Sequence, residues 1–231
     1  YIQIWGFYAG WGKRLRWPDD YFQLSLQLSY QRYILKNWRY FFVMSNGTAN
    51  NLSLNITLNR SSTDNQLFPR TGSEFTASLS ITPPWSKFDK KDYKHLANDR
   101  FSATYQQEQQ EKYRWVEYHK WKFKARTFTA LSNGNKCFVL MTRVEFGLLG
   151  SYNKYKKSPF ETFYMGGDGM SGYSSNYAQE TIGLRGYDNG QLTQHGEGYA
   201  YDRMTLELRY PLLLGNTTIY GLGFLEAGNA W

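Results

Sequence analysis

The sequence lacks the marks of a disulfide scaffold, a metalloprotein and a helical membrane protein. Its 231 residues hold one cysteine, Cys137, so no intramolecular disulfide can form. Cys137 lies in a strand-like run and reads as a small buried residue rather than a reactive thiol. No apolar run reaches the roughly 18 residues of a transmembrane helix, which leaves a strand-built membrane protein open. The three histidines, His95, His119 and His195, show no metal-ligand spacing. No HExxH sequence and no nucleophile elbow occurs, so no catalytic residues, metal or other cofactor are expected. Gly166-Gly167-Asp168-Gly169 has the look of a phosphate loop but lacks the following Lys-Ser/Thr and the strand–helix setting. The chain opens at Tyr1 without a Met, an apolar leader or a cleavage site, and reads as a mature segment or a fragment.

Aromatic residues are plentiful, at 19% of the chain with 20 tyrosines. That richness suits Tyr and Trp girdles at two membrane interfaces, and equally a Tyr-rich soluble sandwich. The formal charge of +8 fits a basic surface for nucleic acid, anionic lipid or acidic partners, or a lysine-lined interior.

Period-two alternation separates these alternatives. Phe22, Leu24, Leu26, Leu28 and Tyr30 fall on one face, and Gln23, Ser25, Gln27 and Ser29 on the other. Leu52 to Leu58 alternate with Ser53, Asn55, Thr57 and Asn59, and Phe75 to Ile81 with Thr76, Ser78, Ser80 and Thr82. Trp121, Phe123 and Ala125 oppose Lys120, Lys122, Lys124 and Arg126. Phe138, Leu140, Val144, Phe146 and Leu148 oppose Arg143 and Glu145. One face suits lipid and the other a wet interior. A lipid-facing lysine costs about 2–4 kcal/mol near the midplane, so the basic row belongs inside. Generic interior polarity is the favoured reading of that row, and contact with a folded-in loop the lesser one.

The connections carry an independent pattern. Short segments at Arg16–Asp20, Ser61–Gly72, Ser132–Asn135 and Pro211–Asn216 alternate with long ones at Lys36–Thr48, Pro83–Arg114 and Ser151–Gly198. Outer-membrane barrels sort their loops in this way, with short periplasmic turns and long outer loops. The expected fold is all-β, a single antiparallel up-and-down transmembrane barrel domain. Its strands are expected near 3–15, 20–35, 48–60, 73–83, 114–131, 136–150, 199–210 and 217–230.

A constellation near the C-terminus points further. Pro159-Phe160-Glu161 with Phe163-Tyr164 and Gly166-Gly167 opens the long loop, Leu184-Arg185-Gly186-Tyr187 forms a tip, and Phe224, Glu226 and Gly228 lie on a later strand. This ordered series resembles the BamA-type outer-membrane assembly factors, within the superfamily of polypeptide-transporting barrels. The resemblance spans essentially the whole chain, with Glu226 standing where many relatives carry Asp.

The resemblance implies a multi-pass bacterial outer-membrane protein that inserts other barrels without catalysis, through a lateral seam. The partners it implies are unfolded outer-membrane proteins, accessory assembly subunits and outer-membrane lipid, with no nucleic acid. The sequons at Asn46, Asn55, Asn59 and Asn216 carry no meaning in such a setting. By this reading residues 1–231 are about eight of roughly sixteen strands, without POTRA domains or closing strands. It also implies that the loop at about 151–198 folds into the lumen and that Arg185 docks on Glu226. Glu226 shares a face with Phe224 by period two, and guanidinium offers it planar, bidentate pairing. Gly186 lets the backbone turn close to the wall and Tyr187 is expected to pack beside it. A polypeptide-secreting translocator of the same superfamily and a passive porin are the alternatives.

Overall fold

The computed structural model describes residues 1–38, 44–99, 101–134, 136–167, 179–193, 198–215 and 217–231. Eight long strands form one antiparallel sheet. They are β1 (Ile2–Arg14), β2 (Phe22–Leu35), β3 (Gly47–Ser61), β4 (Gly72–Ile81), β5 (His119–Ala130), β6 (Val139–Gly150), β9 (Ala200–Leu213) and β10 (Ile219–Ala230). Each strand pairs with the one before it along the sheet, in the order β1-β2-β3-β4-β5-β6-β9-β10. Two short strands, β7 (Phe163–Met165) and β8 (Glu180–Ile182), form a separate parallel pair inside the long connection from β6 to β9.

Ladder register keeps the alternation aligned across the sheet, because directly paired residues point to the same face. Leu26 pairs with Trp11 on one side and Ile56 on the other, and Phe123 pairs with Ala77 and Phe146. Large apolar side chains on this outer face stay exposed, among them Trp11, Leu28, Trp121, Phe146, Leu206 and Leu225. An apolar surface of that extent is stable facing lipid and a liability facing water.

The opposite face is covered. Tyr33, Leu35, Ala49, Tyr118, Leu149 and Tyr201 on the wall pack with Phe160, Phe163, Met165, Ile182 and Leu184 from the long connection. The Phe160 ring stacks on Tyr33 at 4.5 Å, and Phe163 meets Tyr201 edge-on at 4.7 Å. The protein's main apolar core is therefore a loop buried against the inner wall. Gly147 leaves the space for it, since an added Cβ there lies 2.4 Å from the Tyr201 ring and 2.7 Å from that of Phe163. A second cluster joins Phe68, Phe128, Cys137, Val139 and Met141 at the end with the short turns. Cys137 is buried and free, as its sequence context suggested.

Several expected boundaries move. The fifth strand begins at His119 rather than near residue 114, because the preceding residues leave the ladder, hydrogen-bond to Asn50 and Thr82 instead, and bury Val116, Glu117 and Tyr118. The long charged connection before it holds two helices, α1 (Trp85–Phe88) and α2 (Tyr105–Tyr113). Neither was expected, as α2 reads YQQEQQEKY and has no apolar stripe to betray a helix. β9 runs through Pro211 to Leu213 instead of stopping near residue 210. A register shift opposite Ile219/Tyr220 accommodates the missing proline N–H. The Ser61–Gly72 connection, expected only as one of the short segments, sends Phe68 inward to within 5.3 Å of the Tyr220 ring.

The outer face yields a direct test. Leu26→Arg is expected to destabilise the lipid-embedded protein by about 2–4 kcal/mol, measured as a fall in guanidinium unfolding midpoint in lipid vesicles. Gln27→Arg on the inner face is expected to change that midpoint far less.

Candidate functional site

The β9–β10 ladder sets up an acidic inner wall. Thr205 pairs with Glu226 and Glu207 with Phe224, so all four side chains point inward as two adjacent rows. The Glu226 side chain is 3% exposed and that of Glu207 is 6% exposed. Two carboxylates in such a place need cations to stay ionised.

The loop delivers one. The parallel β7–β8 pair carries the chain down the wall, and an isolated bridge between Gly167 and Leu184 continues it. Leu184 is fully buried, and Arg185 follows it at the bottom of the loop. The Arg185 backbone N–H donates to Glu226 Oε2 at 2.9 Å, and its Nε donates to the same oxygen at 3.1 Å. Nη2 donates to Glu207 Oε1 at 3.0 Å. The guanidinium lies over the Phe224 ring, 3.5 Å from its centroid. Thr205 Oγ1 donates to Glu226 Oε1 at 2.8 Å, and Arg209 closes on the other oxygen of Glu207 at 2.6 Å.

The structure thus brings Arg185, Phe224 and Glu226 together. Gly186, at φ +92°, turns the chain away from the wall directly after the arginine. Gly228 lies two residues beyond Glu226, where an added Cβ meets the Asp202 carbonyl at 2.5 Å and Met165 Cε at 2.8 Å, so its lack of a side chain seats β7. Gly166 and Gly167 also adopt positive φ, and their N–H groups donate to the carbonyls of Ile182 and Tyr187. Phe160 and Phe163 are wholly buried, Pro159 is buried, and Tyr164 donates its hydroxyl to the Asn189 carbonyl at 3.1 Å. Tyr187 departs from expectation: the residue is 44% exposed and contributes its carbonyl instead. Asp168, Gly169, His195 and Asn216 lie outside the described residues.

The basic row on β5 is more specific than generic interior polarity. Lys120 pairs with Glu161 and Glu180, and Lys122 with Glu180. Lys124 pairs with Glu145, and Arg126 with Glu74. Burial alone would raise the Glu180 carboxyl, but Lys120 and Lys122 outweigh it and hold the group below the usual carboxylate range. Sequence reasoning passed over Glu207 and Glu180, and named Glu161 in the loop motif without a charged partner, although Glu207 stands in alternation with Thr205 and Arg209 on an otherwise leucine-rich strand. It also passed over Lys156, which reaches from the long loop to Glu117 at 3.5 Å, both side chains nearly fully buried. Burial pulls the Lys156 ammonium below its usual range, against the opposing pull of Glu117.

Among the described residues no group of three His, Cys, Asp or Glu side chains could hold a metal. His95 meets Asp92 in an exposed loop and His119 accepts from Trp121 Nε1.

A family model described as the Omp85 superfamily domain matches residues 5–231. Among solved structures, the chain resembles the crystal structure of BamA from Haemophilus ducreyi lacking POTRA domains 1-3, with a TM-score of 0.63 and 17% identity. That match covers 100% of this chain and 42% of the BamA chain, and it shows the fold. No curated protein matches the sequence at a significant level.

Arg185→Ala leaves two carboxylates buried without their shared cation and is expected to cost about 3 kcal/mol. Adding Glu226→Gln to that variant is expected to recover part of the loss. Guanidinium unfolding of the four members of the double-mutant cycle measures the coupling.

Proposed function

The chain belongs to the Omp85 superfamily, and from that premise we propose that it is the barrel wall and lumen loop of a bacterial outer-membrane assembly factor. The observation that carries the reading is Arg185 held between Glu226 and Glu207 at the foot of an inward-folded loop. In this reading the protein inserts unfolded β-barrel proteins into the outer membrane and works with accessory subunits and outer-membrane lipid. It uses no covalent chemistry. A strand edge of the complete barrel templates the incoming strand through backbone hydrogen bonds, the usual hazard of an open edge turned to use.

Two features support the loop as part of the working machine. Its apolar residues fill the inner wall, which argues against a passive porin with an open lumen. Its descent is anchored by charge on two different parts of the wall, β5 and β9–β10, where apolar packing alone would leave it free to slide. The residue roles proposed are Arg185 as the anchor, Glu226 and Glu207 as its receptors, and Phe224 as the ring beneath it. Gly228 serves as the close-approach point, and Gly186, whose missing side chain would meet nothing within 4 Å, serves through its positive φ alone. Residues 1–231 are proposed to act as one piece of a single larger barrel domain.

The alternative within the superfamily is a translocator that secretes a passenger polypeptide. One experiment addresses both readings. Cells whose only copy of the full protein carries Arg185→Glu are expected to lose folded outer-membrane barrels, measured by heat-modifiable gel migration and membrane abundance. Normal barrel levels in those cells would refute the insertase reading. Normal barrel levels with loss of one secreted polypeptide would favour the translocator.

A further inference from the structure

The Arg185 anchor accounts for one end of the loop's returning limb. The other end is held as firmly, by residues outside the tip constellation. Glu180 opens β8 and presents one carboxylate oxygen to each of two lysines: Oε2 lies 2.9 Å from Lys120 Nζ and Oε1 lies 3.0 Å from Lys122 Nζ. The Lys120 side chain is 4% exposed, which is rare for an ammonium unless it is fully partnered. Its other contacts are Glu161 Oε2 at 3.4 Å and the face of the Phe163 ring at 4.7 Å. Glu161 reaches this place from a left-handed backbone at φ +67°, a conformation that a non-glycine residue holds only when its surroundings enforce it. Two cations and two carboxylates make a neutral cluster, which is what a buried charge site requires.

The two ends lie diagonally across the wall. β5 and β10 are three strand spacings apart, about 14 Å, and the register sets Lys122 level with Ala230, four residues or about 13 Å along β10 from Glu226. The diagonal is about 19 Å, which the roughly 16 Å of extended chain from Glu180 to Arg185 spans with the reach of the side chains at its ends. Midway, Arg203 on β9 donates to the Gly183 carbonyl while its other nitrogen pairs with Glu145 at 2.7 Å. We propose that Glu180–Arg185 is a two-ended strut tying β5 to β10 across the inner wall, with Lys120 and Lys122 as the positioning residues at its second end. Such a strut sets the spacing of four strands from inside and lets the wall move there only if one end lets go. It rests on the functional reading for its purpose, but not for its existence.

Amide hydrogen exchange over residues 179–187 of the full-length protein in lipid nanodiscs tests the strut, with insertion of a client barrel into vesicles measured in parallel. Glu180→Gln and the pair Lys120→Met/Lys122→Met are each expected to speed exchange across Glu180–Ile182 about tenfold or more. The triple variant is expected to be no faster than the lysine pair, because the two changes remove the same contact. Lys120→Arg/Lys122→Arg keeps both charges, safeguards against a variant that merely misfolds, and is expected to retain protection. Unchanged protection in Glu180→Gln, or strictly additive effects in the triple variant, would overturn the strut. Faster exchange with unimpaired client insertion would uphold the strut and count against the insertase reading. Unchanged exchange in Glu180→Gln, with insertion lost in Arg185→Glu, would do the reverse.

Discussion

Everything inside this sheet depends on one constraint: a charge taken out of water must meet its opposite. Arg185 satisfies Glu226 and Glu207 together, and Arg209 and Thr205 take the remaining lone pairs. Removing Arg185 leaves Glu226 without a cation in a place water reaches poorly, while Glu207 keeps Arg209. Ion pairs of this kind contribute little net stability compared with an apolar core of equal volume, because desolvation offsets most of the attraction. What they contribute is register. An apolar loop packed on an apolar wall tolerates sliding by a residue, whereas a guanidinium shared between two carboxylates does not.

The core of this protein is consequently unusual in composition. The outer face cannot form a core, since it faces lipid, so burial must happen on the inner face. A wide barrel cannot fill its own interior with wall side chains. The long connection supplies the missing volume through Phe160, Phe163, Met165, Ile182 and Leu184. The other outer connection joins it. Lys156 and Glu117 bury an ion pair between the two, and the Tyr93 ring lies under the same ammonium at 4.7 Å. Asn50 accepts from Val116 and donates to the Arg114 carbonyl, which stitches the segment after α2 to β3. The loops are thus built into the fold rather than hung from it.

How much of this could be read in the sequence follows from which forces act locally. Alternation is local, so all eight wall strands were legible, and for six of them, all but the first and the seventh, the inner and outer faces as well. The order of short and long connections was equally plain. The Arg185–Glu226 pairing was legible only because the residues around both partners resemble a known family, since the two stand 41 positions apart. The failures share a cause. α2 is polar on all sides, and nothing in its composition distinguishes helix from loop. The start of β5 is decided by where Val116 and Tyr118 find a core, which is a tertiary fact. Pro211 ends a strand by any local rule, yet a register shift keeps it in the ladder. Lys120 and Lys122 read as two members of a basic row, and only the returning loop distinguishes them from Lys124.

The charged contacts are not spread evenly around the wall, and the imbalance has a mechanical meaning. From β5 to β10 the inner face carries Lys120, Lys122, Arg203, Glu207 and Glu226, each tied to the loop or to a neighbour that is tied to it. From β2 to β4 it carries mostly uncharged Gln, Ser, Asn and Thr, joined by short hydroxyl and amide links such as Ser29 with Ser53 at 2.7 Å, with Glu74, paired to Arg126, as the charged exception. There Glu161, Tyr118 and the polar wall line a cavity of about 390 Å³. Hydrogen bonds between neutral groups re-form readily with water, whereas a buried ion pair must break outright. The loop is thus held by ion pairs on the β5–β10 side and by apolar packing on Tyr33, Leu35 and Ala49 on the β2–β3 side. A change of wall shape that keeps the loop seated meets buried ion pairs on the first side, and packing with neutral hydrogen bonds on the second.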